Sequence, residues 1–203
     1  MPARPIIALT KSNSKLSKIF LDFVKKSSQY FARPRFLMIK NHLKGKRILD
    51  IGLGMGSLAM NMKNDGYKVV GVDVDNTSLY QEIAPVIYDG KVMPFKNSDF
   101  DTATIICVLH HCSDQVQVLR EAMRVAKRTV VIEDTHRNKF ERNLVSFRDS
   151  FENWEWYYHN YRSYLEWKNL CDKEGWKVRH IKSWSSFDFG FLYGRQTLFV
   201  IDK

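Results

Sequence analysis

Residues 47–75 read RILDIGLGMGSLAMNMKNDGYKVVGVDVD. A hydrophobic run through Ile48, Leu49 and Ile51 enters Gly52-x-Gly54-x-Gly56 and passes straight into a helix-spaced stretch. Glycines at such a turn permit positive φ and let the backbone approach a ligand closely, while the helix start presents unpaired N–H donors. A second hydrophobic run ends at Asp73, 17 residues after Gly56. A carboxylate there can accept hydrogen bonds from the cis hydroxyls of a ribose. The strand, the turn and the spaced acid together describe a nucleotide-type site on an α/β sheet.

The rest of the chain extends the same pattern. Periodicity predicts strands near 47–51, 68–73, 86–88, 101–107, 128–133, 176–183 and 196–202, with helices near 56–64, 77–83, 115–126 and 163–174. The last helix opens on Ser163 and Glu166 at capping-box spacing and closes before Gly175. Strand–helix alternation argues a doubly wound, seven-stranded, mostly parallel sheet. Residues 14–31 place Leu16, Ile19, Phe20, Phe23, Val24, Tyr30 and Phe31 on one helical face and lysines on the other. Pro34 is expected to separate that helix from a second over 35–43. The chain then divides into a basic helical cap, 1–44, and an α/β domain, 45–203. At 203 residues it fits one elaborated domain of about 100–200 residues.

One stretch, about 135–162, interrupts the alternation and is longer than an ordinary connection. It carries Phe147, Phe151, Trp154, Trp156, Tyr157, Tyr158 and Tyr161, followed by Tyr164 and Trp167. Three uses stay open: a substrate lid, which we prefer, a dimer interface, and local core. Glu133, Asp134 and His136 stand where such a lid would meet substrate.

Composition excludes some classes. Hydrophobic residues make up 44% of the chain, so it is not disordered overall. No run approaches the roughly 18 apolar residues of a spanning helix. Residues 1–10 are broken by Pro2, Arg4 and Pro5 and do not read as a secretory signal. The three cysteines, Cys107, Cys112 and Cys171, form no CxxC pair, so reduced thiols and a cytoplasmic location are expected. Residues 1–47 hold 12 Lys/Arg against one acid, net +11, whereas the remainder is net −1. An anionic membrane surface, which would make the protein membrane-peripheral, or an RNA would therefore meet that quarter first. The plainest expectation is a helix that packs its apolar face on the core and leaves its lysines in water.

A dinucleotide fingerprint wants Gly or Ala at position 57, and the residue is Ser57. The order Asp50-x-Gly52-x-Gly54-x-Gly56 resembles motif I of the class I S-adenosylmethionine-dependent methyltransferases. The resemblance continues through Asp89-Gly90, Met93-Pro94-Phe95 and Ser98-Asp99-Phe100-Asp101, then Ile105–Asp114 and Leu119–Val125. It covers roughly 45–203 and lies nearest the ubiquinone and sterol methyltransferase subgroup. A Pro-Gly-Gly-like turn usual before the fifth strand is replaced by Ala126-Lys127-Arg128-Thr129, which implies a tightened connection.

The resemblance implies a Rossmann-like fold closed by an antiparallel C-terminal hairpin, Trp176–Trp184 with Gln196–Asp202, that binds S-adenosylmethionine and methylates a small or lipid-like acceptor by in-line displacement. It implies that Asp50, Gly52, Gly54 and Gly56 shape the methionine side of the pocket. Asp73 would hold the ribose and Asp89, beside Gly90, the adenine amine, with Val74 on the adenine face. His111 is the candidate general base, against the plainer reading that His110 and His111 line the pocket. Metal ligation by His110, His111, Cys112 and Asp114 is not expected, because no distant partner pair is evident. Three alternatives stand beside this reading. An RNA or protein methyltransferase is disfavoured for adenine amines, since Val108-Leu109-His110-His111 replaces the Asn/Asp-Pro-Pro-aromatic tetrapeptide. The others are a catalytically inactive cofactor-binding scaffold and a nicotinamide enzyme.

Overall fold

The strands are buried on both faces, and their alternation builds two separate cores. Ile48, Val130, Ile132, Leu198 and Val200 point to one side, whereas Leu49, Ile51, Ile105, Val131, Phe199 and Ile201 point to the other. The computed structural model describes residues 15–153, 159–188 and 192–203. In chain order the elements are α1 (Lys15–Lys40), β1 (Arg47–Ile51), α2 (Ser57–Asn64), β2 (Lys68–Asp73), β3 (Val86–Ile87) and β4 (Thr102–Ile106). They continue as α3 (Gln115–Val125), β5 (Arg128–Asp134), α4 (Lys139–Asn153), α5 (Tyr164–Lys173), β6 (Lys177–Asp188) and β7 (Leu192–Asp202).

The sheet order is β3-β2-β1-β4-β5-β7-β6. The first five strands pair in parallel, while β7 runs antiparallel to both β5 and β6. The order reverses between β1 and β4. In open α/β sheets the crevice at that switch point, beyond the carboxyl ends of the strands, is where ligands bind.

Three expectations need correction. The N-terminal region is one helix that runs through Pro34, not two. The proline removes the donor that the Tyr30 carbonyl would use, at a cost of about 3 kcal/mol. Fully buried Phe36 and Ile39 lie just beyond it, and each contributes roughly 1.5–3 kcal/mol. The expected helix over 77–83 shrinks to a 3₁₀ turn, Gln81–Ile83. The long stretch after β5 contains a helix of its own, α4, whose Val145, Arg148 and Asp149 are buried.

The apolar face of α1 is not the face that packs. Leu16 is 82% exposed, Phe23 66%, Tyr30 76% and Phe31 68%; Ile19, Phe20, Leu37 and Met38 are exposed as well. Val24, at the edge of that face, does meet the domain, together with Leu21, Phe36 and Ile39. Polar bonds to α2 reinforce it: Ser57 Oγ donates to Ser28 Oγ at 2.7 Å, and Asn61 Nδ2 donates to the Gln29 carbonyl at 3.1 Å. Periodicity found the stripe but could not tell which side of the helix met protein.

Candidate functional site

Beyond the carboxyl ends of β1, β2 and β4 opens a cavity of about 780 Å³. Its wall includes Gly52, Gly54, Asp73, Val74, Asp89, Gly90 and His111. Seven of the nine residues expected from the sequence thus meet at one opening, the exceptions being Asp50 and Gly56.

Local geometry explains the glycine loop. Gly52 has φ of 72°, and a Cβ there would lie 2.4 Å from the Val108 side chain. Gly54 has φ of 53°, yet a Cβ there would meet no side chain within 4 Å. The first glycine is dictated by packing, the second by open space on the ligand side. Gly56 lies behind the loop in a left-handed conformation as the N-cap of α2.

Asp73 ties the loop to β2. Its Oδ2 accepts from the Gly54 N–H at 2.9 Å and its Oδ1 from the Val74 N–H at 2.7 Å. A carboxylate has about four acceptor positions, so two remain for ligand hydroxyls. Asp89 accepts the Lys91 and Val92 amides on Oδ1, at 2.9 and 3.2 Å. Those backbone bonds hold its pKa below the usual carboxylate value, and the two place no demand on Oδ2. Asp50 is buried beneath the loop and accepts from Thr104 Oγ1 at 2.7 Å. Burial, with a smaller push from the Asp73 charge, raises its carboxyl to about 7.

The far wall carries the histidines. Glu133, fully buried, accepts the Val108 and Leu109 amides at 2.7 and 2.6 Å and the His110 Nδ1–H at 2.7 Å. Among the described residues His110 Nε2 has no hydrogen-bond partner, and it lies 3.7 Å from Asp149 Oδ1. Burial would depress its pKa, but the Glu133 and Asp149 carboxylates outweigh burial and lift it to about 10. Asp149 falls well below the ordinary value: burial pushes it up, but the nearby His110 and its charge prevail. His159 spans Asp149 and His111, with Nδ1 2.8 Å from Asp149 Oδ2 and Nε2 3.1 Å from His111 Nδ1. Tyr161 Oη donates to Asp149 Oδ2 at 2.7 Å.

Sequence reasoning missed Asp149 and His159, because the insertion that bears them offered only its aromatics as a pattern. Trp154, Trp156, Tyr157 and Tyr158 lie outside the described residues, as does the Phe151 side chain. Of the described ring residues, Tyr161 and Trp167 are buried, Phe147 and Tyr164 are exposed, and none lines the large cavity. Nor do Glu133 and Asp134 await a lid: both are buried, and Asp134 pairs with Arg148 and accepts from Gln196 at 3.0 Å.

Residues 49–132, the stretch from β1 to β5 that builds this cavity, match a family described as a methyltransferase domain. Over that stretch the chain is similar to a methyltransferase domain. Among curated proteins it is 32% identical over 101 residues to a ubiquinone biosynthesis O-methyltransferase of Paraburkholderia phymatum, covering 42% of each chain. It is 32% identical over 87 residues to a demethylmenaquinone methyltransferase of Corynebacterium kroppenstedtii, covering 41% of this chain and 38% of that one. The match thus spans about two-fifths of the length of these relatives. A solved S-adenosylmethionine-dependent methyltransferase of Thermotoga maritima superimposes with a TM-score of 0.65 at 19% identity, over 92% of this chain and 99% of that one. At that identity the likeness is one of fold.

S-adenosylmethionine is the cofactor of methyltransferase domains of this kind, and the cavity fits it. The open side of Gly54 accommodates a ligand against the backbone. Asp73 and Asp89 offer acceptors for hydroxyl and amine donors along one opening. Among the described residues, Lys91 is the one lysine or arginine on its wall.

Proposed function

We propose that this chain transfers a methyl group from S-adenosylmethionine to a small, lipid-like acceptor taken from an anionic membrane surface. The observation that carries the first half is the convergence of Gly52, Gly54, Asp73 and Asp89 on one cavity. The bound cofactor supplies an electrophilic methyl on a sulfonium. The chain's own part is to fix that ligand and keep water away: Asp73 accepts from the ribose, Asp89 from the adenine amine, and Val74 packs on the adenine face. Asp50 acts from behind, through Thr104 and the loop, and Gly56 by starting α2. His111, on the wall, is the group available to take a proton from an attacking hydroxyl. Alignment of the reactants supplies most of the gain in any case.

The acceptor class is supported by the quinone-biosynthesis relatives and by α1. Its exposed stripe of Leu16, Ile19, Phe20, Phe23, Tyr30 and Phe31 lies beside a row of Lys18, Lys26, Arg33 and Lys40. A large apolar face flanked by cations is the make-up of a helix that lies in an anionic interface. RNA would use the cations but leave those rings in water. Among the described residues no helix is long and apolar enough to cross a membrane.

A thermal-shift comparison with S-adenosylhomocysteine and NAD tests the cofactor. At about 100 times its dissociation constant a ligand adds roughly 2.7 kcal/mol, several degrees here. A shift with S-adenosylhomocysteine alone is expected; a shift with NAD alone overturns the assignment. Sedimentation with phosphatidylglycerol vesicles tests α1. Phe20→Asp with Phe23→Asp should abolish pelleting without lowering the melting temperature, and unchanged pelleting would refute the membrane half.

A further inference from the structure

We propose that His110, His111 and Asp149 form a binding site for a divalent transition metal of borderline softness, with Zn²⁺ the best fit. Each residue offers one ligand atom, and the three atoms lie within 4.8 Å of one another. Metal–nitrogen bonds near 2.0–2.1 Å close that spacing with small side-chain rotations. The set also lines a second cavity of about 210 Å³, which shares Cys107 and His111 with the larger one.

The tautomers are set by acids. The Glu133 carboxylate can only accept, so His110 carries hydrogen on Nδ1 and turns Nε2 toward Asp149. That Nε2 belongs to a residue only 3% exposed and has no hydrogen-bond partner among the described residues. Asp149 likewise requires hydrogen on His159 Nδ1. The neutral His159 ring then accepts at Nε2 from the His111 Nδ1–H, which puts the His111 lone pair on its Nε2. Both candidate ligand rings thus donate their other N–H to a supporting group, the arrangement that orients histidines in metal sites.

Two nitrogens and one carboxylate select Zn²⁺ and its transition-metal neighbours over Mg²⁺ or Ca²⁺, which prefer oxygen. The field of Glu133 and Asp149 that attracts a proton to His110 serves a cation in its place. Arg148 is already matched by Asp134. Arg35, which also lines the small cavity, opposes a bare cation and favours an anionic oxygen as a further ligand. Three protein ligands leave a coordination position open, as in catalytic rather than structural zinc sites. The proposal concerns binding alone and does not depend on the cofactor assignment, but a His111 that ligates through Nε2 is no longer the general base.

The test uses the full chain, stripped with a chelator and titrated with Zn²⁺ against a chromophoric competitor, with Co²⁺ as a spectroscopic substitute. One equivalent should bind, Co²⁺ should give visible d–d bands, and Mg²⁺ should not compete. His111→Ala, at an exposed position, and Asp149→Asn should each weaken binding at least about tenfold. Glu133→Gln should weaken it about tenfold to a hundredfold. Circular dichroism separates these losses from unfolding, and His111→Ala remains decisive if the buried variants fail to fold. His42 and His180 stack with ring centroids 4.6 Å apart, so His180→Ala serves as the control and should change nothing. No binding below about 10 µM would overturn the site, as would Zn²⁺ binding that survives His111→Ala or is lost in His180→Ala.

Discussion

Asp73 holds two jobs in one side chain, which makes its removal informative only when the ligand is varied too. The Gly54 and Val74 amides both lose an acceptor in Asp73→Ala. Hydrogen bonds to a charged group are worth about 1.5–3 kcal/mol, so S-adenosylhomocysteine affinity should fall roughly tenfold to a hundredfold by calorimetry. A 2′-deoxy analogue separates the two jobs. The wild type should discriminate against it and Asp73→Ala should not; equal discrimination in both proteins would refute the ribose contact. Asp50 yields a prediction about pH instead. Its carboxyl titrates near 3.8 in the unfolded chain and at about 7 in the fold. Between those values the folded protein keeps a proton that the unfolded chain has released, so this group lowers stability as pH rises through the window. Asp50→Asn keeps an acceptor for Thr104 and removes the titration. Its stability advantage over the wild type should grow by roughly 2 kcal/mol from pH 5 to pH 8, measured by urea unfolding. A constant difference would mean that Asp50 is ionised throughout.

Elements were legible wherever pattern and punctuation coincided. β1 and β2 end where Gly52 and Asp73 say they should, and the Ser163–Glu166 capping box forms with both of its bonds. Ser163→Ala should therefore cost about 1 kcal/mol and lower the melting temperature by a few degrees; no change would show that α5 is held by Trp167 and Cys171 alone. α4 was illegible because its buried face is polar: Arg148, Asp149 and Glu141 sit inside, matched to Asp134, His159 and Arg137. A search for apolar spacing passes over a face that is stabilised by ion pairs. The same blindness hid part of the site. The glycine loop, Asp73 and Asp89 announce themselves in one stretch of chain, whereas the histidine cluster needs His110 and Asp149, 39 positions apart, to be brought together by a fold. The α1 stripe misled in the opposite direction, since periodicity reports that a face is apolar but not what covers it.

At the scale of the molecule, the surplus positive charge is segregated, and an exposed apolar stripe shares its segment. The first 47 residues carry the whole surplus of positive charge, and the large exposed rings of α1 lie on the same segment. That segment is stitched to α2 through Ser28–Ser57 and Gln29–Asn61, and α2 begins at the last glycine of the loop. Its Arg35 reaches the small cavity as well. Whatever pulls on α1 therefore pulls on the cradle of the cofactor. Binding free energies around a closed cycle must balance. If vesicles change the affinity for S-adenosylhomocysteine by some factor, S-adenosylhomocysteine must change the affinity for vesicles by that same factor. Measured both ways, a shared factor other than one would make α1 a lever by which the interface reports its presence to the reaction chamber. A factor of one would make it a float that merely holds the chain at the surface.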